Sequence, residues 1–206
     1  MLESSHAARR IMALAGRAAK SARIAESARM AESARMADQP GIVIRPLPAR
    51  ARFSLRLDPA LARSGVAGFD LALPINGRSS AGDRAALRLG PDEWLLLGPD
   101  GDSDVLAGQV EAALAGAFHA LTDVGHRNVA IAVSGRHAAE VLNSGCPLDL
   151  SPEAFPTGRA TRTLLGKAEI LLSRLDDAPT FEVECWRSFA IYVHDFLIEA
   201  AREYEA

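Results

Sequence analysis

Alternating apolar and polar residues predict β-strands over most of the chain beyond Pro40. The segment ARFSLRLD places Phe53, Leu55 and Leu57 at every second position, the spacing that puts side chains on one face of a strand. We therefore expect these three side chains in the core. The alternate positions, expected to face water, are Arg52, Ser54 and Arg56.

Two apolar runs joined by a turn-rich connection predict a β-hairpin. The runs RAALRL and WLLLG are separated by GPDE, within the stretch LGPDEWLLLGPDG from Leu89 to Gly101. Asp92 and Glu93 are adjacent carboxylates in or beside this turn, where neighbouring side chains point in different directions. We expect the pair to shape the turn, and not to share a proton as a catalytic dyad does.

Three segments have the spacing or the capping residues of helices. The first begins at Asp102 or Ser103 and ends near Gly116, the short segment RHAAEVLN follows Ser134 as its cap, and the last follows Ser188. Each longer helix is expected to bury one apolar face. The apolar residues at helical spacing are Leu106, Val110, Ala113, Leu114 and Ala117 in the first helix, and Phe189, Val193, Phe196, Leu197, Ala200 and Tyr204 in the last.

The other apolar runs of the second half predict further strands and a second hairpin. Apolar residues alternate in LTDVGHRNVAIAV, and ATRTLLGKAEILLSRL is expected to turn at Gly166 and Lys167. The last run, FEVECW, places Phe181, Val183 and Cys185 on one side, so the thiol of Cys185 is expected to be buried.

The order of these elements predicts the fold class. Both halves contain a hairpin followed by a helix, which favours an α+β fold in two small lobes of antiparallel sheet, each covered by helices on one face. We place the first lobe at residues 40–119 and the second at residues 120–206, with the break near residue 119.

Residues 1–39 form a tail rich in Ala, Arg and Ser. Residues 1–37 contain seven basic and three acidic side chains, a net charge of +4. The repeat RIAESARMAESARMAD leaves its apolar residues on different helix faces, so we predict disorder or a solvated helix. The alternatives are an organelle transit peptide, a twin-arginine signal at Arg9 and Arg10, or a start mis-assigned upstream of Met36.

Composition and charge exclude several classes of function. The net charge is −3, which offers no global basic field for nucleic acid, and no apolar run approaches the roughly 18 residues of a membrane span. The two cysteines and five histidines form no metal-binding spacing, and neither GxGxxG nor GxxxxGK(S/T) occurs. We therefore expect a cytoplasmic protein without a metal site, a nucleic-acid partner or a membrane partner.

A few polar and aromatic residues remain as candidates for function. His126 and His137 each lie beside an arginine, and Asp123 could orient His126, but no nucleophile with a neighbouring base is present. Trp94 and Trp186 lie next to charged residues at strand ends, which is typical of interfaces, although a core position is an equally good interpretation. Four arginines form either a basic face for an acidic partner or anion, or a solvated surface: Arg127, Arg136, Arg162 and Arg187.

Several segments resemble the gamma subunit of heterotetrameric sarcosine oxidase. They are GPDEWLLLGP, LTDVGHRNVAIAVSGRHAAEVLNSGCPLDLSPEAFPTG, TRTLLGKAEILL and ECWRSFAIYV. The likeness spans Pro40 to Glu203 and leaves out the tail. Within it, GCPLDL, RTLLGKAE and WRSFA are specific as a set.

This resemblance implies a role in a bacterial, cytoplasmic flavoenzyme. That enzyme oxidatively demethylates sarcosine to glycine and forms hydrogen peroxide and, with tetrahydrofolate, 5,10-methylenetetrahydrofolate. In the family the alpha chain holds NAD and the folate site, the beta chain holds FAD and covalent FMN, and the delta chain binds zinc. The gamma chain carries no cofactor, so the resemblance implies a structural, non-catalytic subunit with alpha, beta and delta partners.

The gamma chain is also similar to the folate-binding lobes of the glycine-cleavage aminomethyltransferase. Asp123, Gly135, Ala138 and Leu142 match the pattern of that family, and Asp149 lies near the position of its catalytic aspartate. The asparagine that accompanies this aspartate in the family is replaced in PLDL. We therefore assign no folate chemistry to Asp149.

The leading hypothesis is a gamma subunit of sarcosine oxidase, and two alternatives stay open. One is a free-standing folate-binding or aminomethyltransferase-like protein, and the other is a gamma-type subunit of a related N-methyl amino acid dehydrogenase, for example one that acts on N-methylglutamate. No catalytic, cofactor-binding or metal-binding residue is assigned. The residues proposed for a subunit interface are Trp94, His126, Arg127, Arg162, Trp186 and Arg187.

Overall fold

A computed structural model describes residues 41–204, so the predicted tail lies outside the described residues. The strands in this range are β1 (Val43–Pro46), β2 (Arg50–Leu57), β3 (Ser64–Val66), β4 (Phe69–Asp70), β5 (Arg78–Ala81), β6 (Arg84–Arg88), β7 (Glu93–Pro99), β8 (His119–Asp123), β9 (Asn128–Ser134), β10 (Ala160–Leu165), β11 (Ala168–Arg174) and β12 (Thr180–Trp186). The helices are α1 (Ser103–Ala113), α2 (Ala138–Asn143) and α3 (Ala190–Ala201).

Two five-stranded antiparallel sheets contain most of these strands. Sheet A has the order β1-β9-β12-β11-β10, and sheet B has the order β5-β6-β7-β2-β8. Strands β3 and β4 form a separate two-stranded ribbon. Both predicted hairpins are present, as β6–β7 in sheet B and as β10–β11 in sheet A, where Gly166 has the positive φ of 58° that a tight turn requires. The predicted α+β class with antiparallel sheets is confirmed.

Two strands do not pair within their predicted lobes. Strand β1 belongs to the predicted first lobe but pairs with β9 of sheet A. Strand β8 lies almost wholly in the predicted second lobe but pairs with β2 of sheet B. The predicted division near residue 119 therefore does not coincide with the boundary between the sheets. Strand pairing between distant segments decides this boundary, and the order of elements along the chain does not contain that information.

The molecule has four layers, because the sheets pack face to face and helices cover their outer faces. Helix α1 contributes Leu106 and Val110 to a core shared with sheet B, and α2 and α3 share a second core with sheet A. A third cluster, which includes Leu87, Leu95 and Leu171, lies between the sheets. The strands of sheet B therefore bury apolar residues on both faces.

Arg52 corrects the prediction that the polar face of β2 is in water. Its side chain is only 2% exposed, and its Nε donates to both carboxylate oxygens of Glu184 on β12, each at 3.1 Å. Sheet A covers this face of β2, so the expectation holds only for Arg56, which is exposed, and partly for Ser54. A buried arginine is tolerated here because a carboxylate is buried with it.

The helix ends differ from the predicted caps. Ser134 is the last residue of β9, and α2 has His137 at its N-cap position. Ser188 lies in a short 3₁₀ turn, and α3 has Phe189 at its N-cap position. The buried face of α3 includes His194, while Phe189, which was predicted on the apolar face, is 37% exposed. No helix within residues 41–204 is long and apolar enough to cross a membrane.

Both thiols are expected to be inert in the native chain. Cys146 is 3% exposed and Cys185 is 1% exposed, so the predicted burial of Cys185 is confirmed. Burial, together with the charge of Glu184, raises the pKa of Cys185 to about 12. Because the thiolate is the reactive form, a disulfide exchange reagent at mildly alkaline pH should modify neither thiol. Absorbance of the released chromophore checks this, and denaturation should then expose both. Rapid titration of a thiol in the folded chain would contradict the burial.

Candidate functional site

Sheet A extends beyond sheet B at one end and leaves part of its inner face uncovered. The strand registers place four side chains in one row across this end, on the same face as Glu184. We call this row the overhang. Its residues are Leu164, Glu169, Trp186 and Asn128. Leu164 is 51% exposed and Trp186 is 48% exposed. Two large apolar side chains therefore face solvent in this row, and the carboxylate of Glu169 lies between them.

A cleft separates the overhang from the end of sheet B. The lining of this Trp186 cleft includes Trp186, Glu169, Arg127, Arg162 and Glu93, with Trp94 at its buried side. Three of the residues proposed from sequence for an interface are thus exposed around one opening. The chemistry of the cleft is mixed, with an aromatic face between side chains of both charges.

Glu93 joins the two sheets at this cleft. Its carboxylate accepts two hydrogen bonds from Arg162 of β10, one of them 3.1 Å long, and it lies 3.2 Å from a guanidinium nitrogen of Arg56 on β2. Arg56 also donates to Asp92 at 2.9 Å. The hydrogen bonds from Arg162, and then the charges of Arg162 and Arg56, hold the pKa of Glu93 below its usual range. Asp92 and Glu93 are thus both held by arginine guanidinium groups.

The link between Glu93 and Arg162 should make part of the stability depend on pH. Because the pKa of Glu93 is lower in the folded chain than the 4.5 of a free glutamate, its contribution is complete above pH 4.5 and is lost as the pH falls through the folded pKa. We expect Arg162→Gln to remove up to about 1 kcal/mol at neutral pH and less in acid. Urea unfolding on both sides of pH 4.5 measures this difference. An equal loss at both pH values would contradict the link.

A second link between the sheets is buried. Arg50 and Arg52 of β2 meet Glu182 and Glu184 of β12, and Arg50 hydrogen-bonds to both carboxylates, at 2.7 Å in the case of Glu184. Burial alone would lower the pKa of Arg50, but the charges of Glu184 and Glu182 outweigh it and the pKa is raised. The two glutamates thus stabilise the charge of Arg50 in its partly buried position.

A second opening, the Arg52 cleft, lies beside these ion pairs. Its lining includes Pro48, Ala49, Arg52, His126 and Arg187. Asn128 lines both this cleft and the Trp186 cleft, so the two openings adjoin. His126 and Arg187, which were also proposed from sequence, are exposed here.

Trp94 corrects the prediction that it contacts a partner. Its side chain is completely buried, its Nε1 donates to the carbonyl of Leu71 at 3.1 Å, and the guanidinium of Arg88 lies 4.9 Å from its ring centre. No part of this side chain is available at the surface, so Trp94 is a core residue. Alternation along β7 placed it on the face that packs against α1, while Trp186 lies on an uncovered face.

The remaining candidates of the sequence have local structural roles. The carboxylate of Asp123 accepts a hydrogen bond from the backbone of Gly125 at 2.7 Å, so it shapes the turn before His126. Arg136 donates to His137 at 3.0 Å and lines neither cleft. Within residues 41–204, no group of three or more His, Cys, Asp or Glu side chains is arranged to hold a metal ion.

Asp149 lies on the surface, on the side of the molecule that carries α2. Its Oδ1 accepts a hydrogen bond from the backbone N–H of Ser151 at 2.9 Å. Hydrogen bonds from the backbone and side chain of Ser151 lower the pKa of this exposed carboxyl. The carboxylate thus stabilises a turn, and it lines neither the Trp186 cleft nor the Arg52 cleft.

Sequence reasoning missed the buried link between the sheets. Glu182 and Glu184 alternate with the apolar residues of β12, a pattern that is equally typical of a strand with one solvated face. A usable signal was present, because β2 has arginines and β12 has glutamates at alternate positions. Two strands of opposite charge are candidates for facing each other.

Solved structures show which known folds are similar. A heterotetrameric sarcosine oxidase from Corynebacterium sp. U-96, in complex with pyrrole 2-carboxylate, contains a chain that matches with a TM-score of 0.77 and 24% identity, over 95% of this chain and 96% of that one. The glycine cleavage system aminomethyltransferase T from Bartonella henselae matches with a TM-score of 0.62 and 14% identity, over 80% of this chain and 47% of that one. These likenesses confirm the predicted fold.

Sequence relatives match most of the chain. A sarcosine oxidase subunit gamma from Arthrobacter sp. is 34% identical over 138 residues, which are 65% of this chain and 67% of that protein. One from Corynebacterium sp. (strain U-96) is 29% identical over 175 residues, or 80% of this chain and 82% of that protein. The model of the sarcosine oxidase, gamma subunit family matches residues 55–203. The chain therefore belongs to the sarcosine oxidase gamma subunit family.

Proposed function

We propose that this chain is the gamma subunit of a heterotetrameric sarcosine oxidase and acts there as a structural, non-catalytic subunit. The observation that carries the proposal is the match of residues 55–203 to the family, supported by relatives that bear the name of this subunit. The complex oxidatively demethylates sarcosine to glycine in the cytoplasm, with formation of hydrogen peroxide and 5,10-methylenetetrahydrofolate.

In this proposal the redox and folate chemistry takes place on the partner chains. FAD, FMN, NAD and zinc are held by the alpha, beta and delta subunits, and tetrahydrofolate is a substrate of the complex. The surface position of Asp149 supports a structural role for this chain, because its carboxylate is engaged in a turn with Ser151. Catalytic carboxylates more often lie in a cleft that excludes water.

The overhang is the surface that we propose for docking to the alpha or beta subunit. Trp186 and Leu164 expose apolar surface on the uncovered face of a sheet, and Arg127, Arg162 and Glu169 surround them. Large aromatic side chains with a polar rim are typical of interface centres. His126 and Arg187 extend this surface around the Arg52 cleft, while Trp94 is not part of it.

Replacement of Trp186 tests the docking surface. When the chain is co-produced with its three partner chains, we expect Trp186→Ala to weaken its retention by at least about 2 kcal/mol, or roughly thirtyfold. Quantitative pull-down of tagged gamma chain with its partners measures this effect. Phe118→Ala is the matched control, since Phe118 is 97% exposed and lines neither cleft. Equal retention of both variants would contradict the proposed surface.

The composition of the native assembly tests the proposal as a whole. A tagged chain isolated from its own cells is expected to bring down a yellow complex, several times heavier than 21.9 kDa, that oxidises sarcosine. A colourless monomer that binds tetrahydrofolate in calorimetric titration would instead support a free-standing folate-binding protein. A complex that prefers N-methylglutamate would support the related dehydrogenase.

A further inference from the structure

We propose that the open edge of β10 pairs with a short extended segment of a partner subunit, and that this segment carries acidic side chains. The inference rests on the proposed function, because the partner is another chain of the complex. Strand β10 is the last strand of sheet A and pairs with β11 on one side only. An edge strand with free backbone groups is a template for the addition of a further strand.

The alternation of hydrogen bonds along β10 decides which backbone groups point away from β11. In an antiparallel pair, every second residue bonds to the neighbouring strand and the residues between them point to the other side. The N–H of Arg174 donates to the carbonyl of Arg159 at 2.9 Å, so the odd-numbered residues of this segment bond to the β11 side. The N–H and C=O groups of Arg162 and Leu164 therefore point outward.

The outer side of β10 is filled by the rest of the chain only where the strand begins. The N–H of Ala160 donates to the carbonyl of Asn76 at 2.8 Å, and Gly77 forms an isolated bridge with Arg159. Ala160 is even-numbered, so its outward bond agrees with the alternation. Pairing of β10 with this segment goes no further than Ala160.

Beyond this point the outward backbone groups of β10 are unpaired. The N–H of Arg162 and both backbone groups of Leu164 have no hydrogen-bond partner among residues 41–204. The carbonyl of Arg162 accepts only a 3.4 Å hydrogen bond from the hydroxyl of Thr161. Because Leu164 is also part of the overhang, a strand added here would extend sheet A directly beside the proposed docking surface.

The opposite edge of sheet A differs in this respect. Strand β1 contains Pro46, which has no N–H to donate to a further strand. Strand β10 has no proline, and it exposes 51% of the side chain of Leu164. Of the two edges of this sheet, only that of β10 thus keeps both donors and acceptors for strand addition.

The charges along this edge define the chemistry of the partner segment. Residues 159–167, RATRTLLGK, contain three basic side chains and no acidic one. Arg162 is held by Glu93, whereas Arg159 and Lys167 are exposed and form no ion pair within residues 41–204. A second copy of β10 would bring like charges together, while an acidic segment would neutralise them. The edge therefore favours a partner strand with acidic side chains.

Hydrogen exchange in the assembled complex tests the pairing. We expect the amides of Arg162 and Leu164 to exchange within about tenfold of the rate of Thr163, whose amide bonds to β11, because paired amides exchange only when the sheet opens. Mass spectrometry with electron-transfer fragmentation resolves these rates at single residues. If either outward amide exchanges faster than this, the inference is overturned.

Replacement of Leu164 with proline separates strand pairing from simple cover by a partner. Leu164→Pro removes an outward N–H but no hydrogen bond to β11, so the chain should keep its fold, which circular dichroism checks. In pull-down with the three partner chains, its retention should be at least about fivefold weaker than that of Leu164→Ala, which loses the same side chain. Equal retention of the two variants would overturn the pairing. Should Leu164→Pro fail to fold, the exchange rates decide alone.

A charge change tests the acidic character of the partner segment. Lys167→Glu should weaken retention by about twofold to fivefold, the effect of one exposed charge. Arg45→Glu is the matched control, since Arg45 is an exposed arginine on the opposite edge strand of the same sheet, and it should change nothing. Equal retention of these two variants would overturn the acidic partner. An unchanged chain that recruits no partner contradicts the proposed function as well, whereas retention with fast exchange at Arg162 and Leu164 contradicts this inference alone.

Discussion

Replacement of Glu184 with alanine is expected to lower the free energy of unfolding by about 3–5 kcal/mol, the effect of breaking a buried ion pair. Glu184 is 1% exposed and accepts hydrogen bonds from Arg50, Arg52 and Asn128. Its loss leaves the guanidinium of Arg52 buried between two sheets with no carboxylate to balance its charge. Urea unfolding of the full chain, followed by circular dichroism, measures the change.

Two variants distinguish loss of the ion pair from loss of packing. Glu169→Ala removes an exposed carboxylate on the neighbouring strand of the same sheet and should change stability by less than about 0.5 kcal/mol. The double variant Arg52→Met and Glu184→Leu replaces both charges with apolar side chains and should recover much of the loss. A single Glu184→Ala variant as stable as Glu169→Ala would show that the charges are not desolvated.

Replacement of Trp94 with alanine is the second change with a large expected effect, about 3–5 kcal/mol of unfolding free energy. The side chain is completely buried in the core beneath α1, it donates a hydrogen bond to Leu71, and Arg88 packs over its ring. Alanine leaves a cavity and removes the donor for a buried carbonyl. Thermal and urea unfolding, both followed by circular dichroism, give the measurement.

The two tryptophans are matched controls for each other. Trp186→Ala should change the stability of the single chain by less than about 1 kcal/mol, since Trp186 is 48% exposed, and should weaken retention in the complex. Trp94→Ala should do the reverse, with any loss of assembly following from loss of folding. A stable Trp94→Ala chain that fails to assemble would restore the interface role predicted from the sequence.

Local patterns predicted the strands and hairpins because each depends on neighbouring residues. Alternation identified β2, β9 and β12 on their apolar sides, and the turn residues of GPDE and of Gly166 located both hairpins. Helix starts were less well predicted, since the side chains of Ser134 and Ser188 cap no helix. Capping residues also serve in turns, so their presence alone does not place a helix end.

Five of the six residues proposed for an interface lie around two adjoining clefts, and their contact with a partner stays a prediction. They are Trp186, Arg127, Arg162, His126 and Arg187. The sequence does not distinguish Trp94 from Trp186, because both are tryptophans at the end of an apolar strand next to charge. The difference arises from what covers each strand face, which depends on elements far away along the chain.

By itself, the sequence determined the α+β class, the apolar face of each main strand, the buried Cys185 and the family resemblance. These properties depend on residue type at short spacing or on motifs that can be compared directly. Only the tertiary structure decided that the polar face of β2 is buried against β12, through pairs such as Arg52 and Glu184 that are 132 residues apart. It also decided that sheet A extends past sheet B. Alternation along a strand indicates that one face is apolar and the other polar. Whether the polar face is solvent-exposed depends on how one sheet packs on another.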